Sequence, residues 1–319
     1  MKKLLVVMLV LMMVVCLFTT SFAAKKYTVA GIVFQEDQFM KTILAGMKSA
    51  AAKEGITLLT ANTANQLQKE IDTVNTYTAR GVDAICITTL DANGSVPALK
   101  AAYDKGIKIV CFNNAINADF PVSTLQSSNT DLGANSGKAA AAYIKAALKG
   151  KATIKVATLN FKPQLPQQSD QRENGFLDQI KDLPGVKIVA QQSAWTVDMS
   201  VPKAGDIITA NPDLDIAYGC NDGGTKGWVL AAKNAGKKIA VFGIDVDQEA
   251  ADMLLSNDNI LQAVCGQNPY QQGYQSIEFA VSALKGKKVQ KSVVVPGALF
   301  SRTSKTLKAD LDKFLNAAK

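Results

Sequence analysis

Asp, Asn and Gln recur directly behind short apolar runs, and they are the residues here best equipped for chemistry. Phe34-Gln35-Glu36-Asp37-Gln38-Phe39-Met40 follows the first run and Asn113-Asn114 the fourth. Ala194-Trp195, Asn221-Asp222, Asp245 and Gln267 follow later ones. A carboxamide both donates and accepts, and a carboxylate accepts, so the set suits vicinal hydroxyl groups. Phe39 and Trp195 add broad rings on which the C–H face of a sugar packs. Each residue also has a plain reading: Asp37 caps a helix, Phe39 staples its start, Trp195 packs a core, Asn113-Asn114 turns a loop. What those readings leave unexplained is the recurrence of polar groups after strand upon strand. Catalysis has little support. The chain contains no His, which removes the commonest metal ligand and the commonest general base near neutral pH. No G-x-S-x-G, phosphate-binding glycine loop, G-x-G-x-x-G or zinc-ligand spacing occurs. Asp37 and Asp245 as a glycosidase pair are the remaining acid–base option. The expectation is a binder with no cofactor and no metal.

The elements that position these residues alternate. Apolar β-rich runs at 28–34, 57–60, 84–88, 108–112, 155–160, 187–191, 216–220, 239–244 and 261–266 are separated by helical patterns rich in Ala, Lys and Leu. Gly55, Gly81, Gly106, Gly236 and Gly286 stand where helices end. This spacing predicts βαβ units and parallel sheets. The units fall into two sets, the second beginning near Lys155. A late helix (270–284), a strand (292–295) and an amphipathic helix (307–318) follow. Two parallel sheets in tandem leave a cleft at their carboxyl edges, where open α/β sheets bind ligands.

The amino terminus predicts export. Lys2-Lys3, the apolar run 4–18 and Ser21-Phe22-Ala23 have the three parts of a signal peptide spanning 1–23. The run is shorter than the ~20 residues a membrane helix needs. Val15 precedes Cys16, a poor match to a lipidation box, so cleavage after Ala23 is preferred to a lipid anchor at Cys16. Without Lys2 and Lys3 the chain keeps 33 basic residues against 27 acidic, net +6. The charges are scattered, which argues against nucleic-acid binding. An export signal stands where a repressor would carry its helix-turn-helix. Cys86, Cys111, Cys220 and Cys265 all sit in apolar runs and read as buried thiols; a bond between Cys86 and Cys111 stays open.

The order and spacing of several short motifs resemble the periplasmic sugar-binding proteins related to the ribose-binding protein, the type I periplasmic-binding fold. The motifs are Phe39 with Gly46, Gly81-Val82-Asp83-Ala84-Ile85, Gly106-Ile107-Lys108-Ile109-Val110, and Ser128-Asn129 with Gly133. They continue through Arg172 with Gly175-Phe176, Ala217-Tyr218-Gly219-Cys220-Asn221-Asp222, Phe242-Gly243-Ile244-Asp245, and Gln267 with Gly273. The resemblance implies two Rossmann-like lobes, each of strand order 2-1-3-4-5, joined by three crossovers near 126–129, 266–268 and 296–297. It assigns 24–127 plus 268–296 to the N-terminal lobe. It assigns 128–267 plus 297–319 to the C-terminal lobe, with the tail free to pack across both. It implies ligand contacts from Phe34, Asp37, Phe39, Met40, Asn113 and Asn114 on one side, and Asp170, Trp195, Asn221, Asp245 and Gln267 on the other.

Departures from the ribose pattern narrow the expectation. Ribose binders carry Asn where Asp37 stands, Asp-Arg where Asn113-Asn114 stand, Arg where Asp170 aligns, and an aromatic where Ile244 aligns. Arg172 lies two positions off and reads as framework. A site with Asp37, Asp170 and Asp245 and no aligned Arg favours a neutral polyol, or else an amine, over an anion. The expected function is an extracytoplasmic solute-binding protein, monomeric, that delivers a small sugar to the membrane permease of an ABC transporter. Service to a chemoreceptor or sensor kinase is the alternative.

Overall fold

The computed structural model describes residues 26–316. The expected signal peptide and Cys16 lie outside them. Two six-stranded sheets form, ordered β11-β5-β4-β3-β1-β2 and β12-β10-β9-β8-β6-β7. The first holds β1 (Thr28–Val33), β2 (Thr57–Asn62), β3 (Ala84–Ile87), β4 (Lys108–Phe112), β5 (Ser123–Ser127) and β11 (Ser292–Val295). The second holds β6 (Ile154–Asn160), β7 (Val186–Ser193), β8 (Ile216–Gly219), β9 (Ala240–Ile244), β10 (Leu261–Gly266) and β12 (Ala298–Ser301). Every pairing is parallel except β10 with β12. Within each sheet the first five strands run 2-1-3-4-5, the order of the type I periplasmic-binding fold. The chain passes between sheets after β5, after β10 and between β11 and β12.

The helices are α1 (Gln38–Glu54), α2 (Leu67–Ala79), α3 (Val96–Asp104), α4 (Asn129–Ala147) and α5 (Pro166–Leu177). They continue with α6 (Val197–Ala210), α7 (Asp222–Asn234), α8 (Gln248–Leu255), α9 (Pro269–Leu284) and α10 (Leu307–Asn316). Among the described residues none is long and apolar enough to cross a membrane. Strand alternation distributes their contacts. Val29 and Val33 of β1 face the layer that holds Met40, Ile43 and Ile277, whereas Ala30 and Ile32 face Val74, Tyr77 and Leu99. The same pleat settles the cysteines. In the β3/β4 register Cys111 lies opposite Ile87 and Cys86 opposite Val110. That offset of one residue turns Cys86 and Cys111 to opposite faces of the sheet. All four thiols are free and buried, and burial pushes Cys86, Cys111 and Cys265 up to about 12.

Each crossover helix is sealed to the lobe it enters by a pair of glycines. A Cβ at Gly46 of α1 would lie 2.1 Å from Tyr270 O, and one at Gly273 of α9 would lie 2.0 Å from Ile43 O. The second lobe repeats this, Gly133 of α4 against Arg172 O at 2.1 Å and Gly175 of α5 against Thr130 O at 2.4 Å. These distances exclude any side chain, so the backbones themselves are in contact. β5 falls between the expected strands at 108–112 and 155–160, its burial alternating along the polar run Ser-Thr-Leu-Gln-Ser. Two elements exceed the sequence expectation. β12 adds an antiparallel edge. The short helix α8 is capped by Asp247, whose side chain accepts from Ala250 N–H at 2.9 Å.

Candidate ligand-binding site

The carboxyl ends of both sheets meet at a small chamber of about 40 Å³. Phe34, one residue past β1, and Phe161, one past β6, both line it. Asp37 stands at the N-cap of α1 with extended backbone. One of its carboxylate oxygens accepts from Met40 N–H at 2.8 Å and the other from the Gln35 amide. The capping reading and the chamber reading therefore both hold for this residue. Burial raises the Asp37 carboxyl above the usual carboxylate range, with the Met40 N–H opposing and the charge of Asp245 adding to the rise.

Asn113 and Asp245 are counterparts. Each directly follows the fourth strand of its lobe and has left-handed backbone, φ 62° and 75°. Each donates its N–H across to the fifth strand, Asn113 to Leu125 O at 2.7 Å and Asp245 to Cys265 O at 2.9 Å. Short polar Asn and Asp tolerate this conformation better than other non-glycine residues, and it breaks the strand so that the side chain turns to the crevice. Asp245 is 8 % exposed. It accepts from the Gln267 amide at 2.8 Å and from Asp222 N–H at 3.2 Å. Burial raises its carboxyl; Arg172, Gln267, the Asp222 N–H and Lys226 oppose the rise. Gln267 is 2 % exposed and its Oε1 has no hydrogen-bond partner among the described residues. Asn221 caps α7, accepting from Gly224 N–H at 3.0 Å while donating to Trp195 O at 2.7 Å.

A charged network lies behind Asp245. Lys226, almost fully buried, contacts Asp222 at 2.9 Å, Asp247 at 2.6 Å and Glu249 at 3.2 Å. Burial pushes the Asp222 carboxyl up to about 7 against the pull of Lys226, and the neighbouring Asp247 and Asp245 add to the rise. Burial disfavours the Lys226 charge, but Asp222 and Asp247 outweigh it and leave the ammonium more firmly protonated than a free lysine.

Of the residues expected from sequence, the chamber gathers Phe34, Asp37, Phe39, Met40, Asn113, Asn221, Asp245 and Gln267. Three it does not. Trp195 lines neither the chamber nor the adjoining cavity; its ring packs against the core. It follows β7, the outer edge strand, and its carbonyl accepts from Asn221, which does line the chamber. Asn114 donates to Thr89 O at 2.5 Å and faces a separate polar cavity of about 520 Å³. Asp170 turns outward into an exposed ion pair with Lys162 at 3.0 Å. Two helix residues apart means about 200° of rotation, so it is Arg172 that faces the chamber. Arg172, read from sequence as framework, thus also lines the chamber. The Arg172 guanidinium lies 5.2 Å from the Phe161 ring centroid and donates to Asn129 Oδ1 at 2.8 Å and Cys220 O at 3.1 Å.

Sequence reading also missed Gln164, Leu165 and Gln168, which line the chamber from the start of α5. Gln164 reaches the first lobe, donating to Gln35 Oε1 at 2.6 Å and Asn65 Oδ1 at 2.7 Å. Gln168 donates to Asn113 O at 2.8 Å and to the Asn114 side chain. The signal was present: Leu165, Gln168 and Arg172 follow the 3–4 spacing of one helix face. Beside the chamber lies a larger cavity of about 320 Å³, which shares Phe39, Asp222, Asp245 and Gln267 with it and reaches Thr42 of α1 and Phe314 of α10.

The chain belongs to the periplasmic binding protein family: the model of the periplasmic binding protein domain matches residues 30–288. It is 30% identical over 294 residues to the ABC transporter periplasmic-binding protein YphF of Escherichia coli (strain K12), covering 88% of each chain. It is 28% identical over 277 residues to the ribose import binding protein RbsB of Bacillus subtilis (strain 168), covering 85% of this chain and 86% of that one. Among solved structures it shares its fold with a carbohydrate transporter solute binding protein from Agrobacterium radiobacter in complex with D-arabinose. That match has TM-score 0.82 and 24% identity over 92% of this chain and 100% of that one. The family is one of solute-binding proteins, not enzymes.

Proposed function

We propose that this is an extracytoplasmic solute-binding protein of an ABC importer that captures a small neutral sugar or polyol between its lobes. The observation that carries the reading is the convergence of polar strand-end residues from both sheets on one chamber, Asp37 and Asn113 from one, Asn221, Asp245 and Gln267 from the other. The names of its relatives, an ABC transporter periplasmic-binding protein and a ribose import binding protein, support it. Small-molecule pockets typically measure ~300–1,000 Å³, far above the chamber's volume, so the lobes part to admit ligand and close around it. We assign the moving bodies to 24–127 plus 268–296 and to 128–267 plus 297–319. The hinges are the three crossovers, and the closed monomer docks on the permease after cleavage of residues 1–23.

Arg172 does not make the chamber an anion site. Its Nε and Nη1 are already committed to Asn129 and Cys220, and three carboxylates, Asp37, Asp222 and Asp245, surround the space. A sugar acid or sugar phosphate would add charge beside them, whereas neutral hydroxyls donate to them. Calorimetric titration of the mature protein with pentoses, hexoses, inositols and the matching sugar acids tests this. Binding of a neutral member is expected; tighter binding of an acid than of every neutral compound would overturn it.

A further inference from the structure

We propose that the cavity of about 320 Å³ beside the chamber is a second subsite, so that the preferred ligand is a glycoside with one sugar ring in the chamber and its appended ring between Phe39 and Phe314. The proposal rests on the sugar-binding reading above and specifies its substrate class. Volume is the first ground. The outer cavity reaches the size range of small-molecule pockets and the chamber does not. Continuity is the second, since Phe39, Asp222, Asp245 and Gln267 form a shared wall. A ligand can pass along that wall without leaving protein contact.

The third ground is the chemistry of the walls. Phe39 sits in the first turn of α1 and Phe314 near the end of α10, both half-buried and both lining the cavity. Phe314 is fixed in place rather than loosely attached. Its ring stands edge-on to Phe300 at 5.0 Å and 67°, and a Cβ at Gly266 would lie 3.0 Å from Phe314 Cζ. The glycine at the end of β10 thus lets the terminal helix bring an aromatic ring up against the strand end. Partly exposed aromatic surface from two elements lining one cavity suits a second ring, sugar or aryl. The fourth ground is Gln267 Oε1, buried, without a hydrogen-bond partner among the described residues, and on the shared wall. It is placed to accept from a hydroxyl near the junction of the two rings. Phe39 belongs to the first lobe and Phe314 to the second, so an appended ring would bridge the lobes and favour their closure.

The test is calorimetry on the mature protein with D-ribose, D-glucose and D-galactose, each beside its phenyl β-glycoside. At least one phenyl glycoside is expected to bind about tenfold more tightly than its parent sugar, the gain of one good aromatic contact. Thr42→Trp, which fills the outer cavity from α1, and Phe314→Ala should each erase that gain and leave the affinity for the free sugar unchanged. A free sugar that binds with no gain on its glycoside overturns the subsite while sparing the sugar-binding reading. A gain that survives Thr42→Trp overturns it equally. Failure of every free sugar and every glycoside to bind contradicts the sugar-binding reading, and the subsite falls with it.

Discussion

The two lobes are built to one plan but carry different chemistry at equivalent places. Each has a phenylalanine just past its first strand, Phe34 and Phe161. Each has a left-handed Asn or Asp just past its fourth, Asn113 and Asp245. Each sends the helix after its fifth strand across to the other lobe, where glycines set it backbone against backbone. The first lobe offers the neutral amide of Asn113 where the second offers the carboxylate of Asp245. Behind Asp245 stand Arg172, Asp222, Lys226 and Asp247, all in contact or in electrostatic reach. Under the proposed function the shared plan sets where a ligand is held. On the same reading the second lobe is the anchoring half, with its charges pre-arranged, and the first lobe, which brings Asp37 and Asn113, closes on it.

If the shared plan is as deep as the glycine contacts indicate, breaking it should cost the same on either side. Gly273→Ala and Gly133→Ala are each expected to destabilise the fold by about 1–3 kcal/mol, because the added Cβ must push two helices apart. Urea denaturation of both variants checks this; a large loss in one and none in the other would break the equivalence.

The electrostatic difference should appear as a pH dependence centred on the second lobe's network. Asp222 titrates at about 7 in the folded protein, above the ordinary aspartate value of 3.8. Between those values the folded state holds the extra proton, so its contribution is fully present below about 3.8 and is lost as pH rises through about 7. Asp37 and Asp245 are shifted in the same direction. Asp222→Asn should therefore flatten the fall in stability from pH 4 to pH 7, measured by denaturant unfolding at several pH values. An unchanged slope would contradict the assignment. The smallest effect is expected at the lobe contact. Gln164→Ala removes two neutral hydrogen bonds to the first lobe and should cost no more than about 1 kcal/mol, while increasing the radius of gyration of the ligand-free protein in solution scattering.

Legibility followed the same geometry. A strand ends where its apolar period ends, so the residues behind β1, β4, β8, β9 and β10 could be read from sequence. Asp37, Asn113, Asn221, Asp245 and Gln267 all reach the chamber. The rule does not show where a strand sits in its sheet: β7 forms the outer edge, and Trp195 behind it lines neither cavity. It was silent on Gln164, Leu165 and Gln168, which belong to a loop and a helix face and obey a different period. Asp170 and Arg172 show the cost of aligning residues without helix phase: a shift of two reverses the face. The larger cavity depends on where α10 packs, and its amphipathic pattern predicts the helix but not its neighbour.

The central claim is that two lobes form one site. Calorimetry with a neutral sugar that binds the wild-type protein tests it most directly, using Asn113→Ala and Asp245→Ala side by side. The account predicts one ligand per chain and weakened binding in both variants. The loss should be larger for Asp245→Ala, by roughly 1.5–3 kcal/mol against about 0.5–1.5 for Asn113→Ala, as befits a charged and a neutral hydrogen bond. Wild-type affinity in either variant, with its fold intact by circular dichroism, would contradict it.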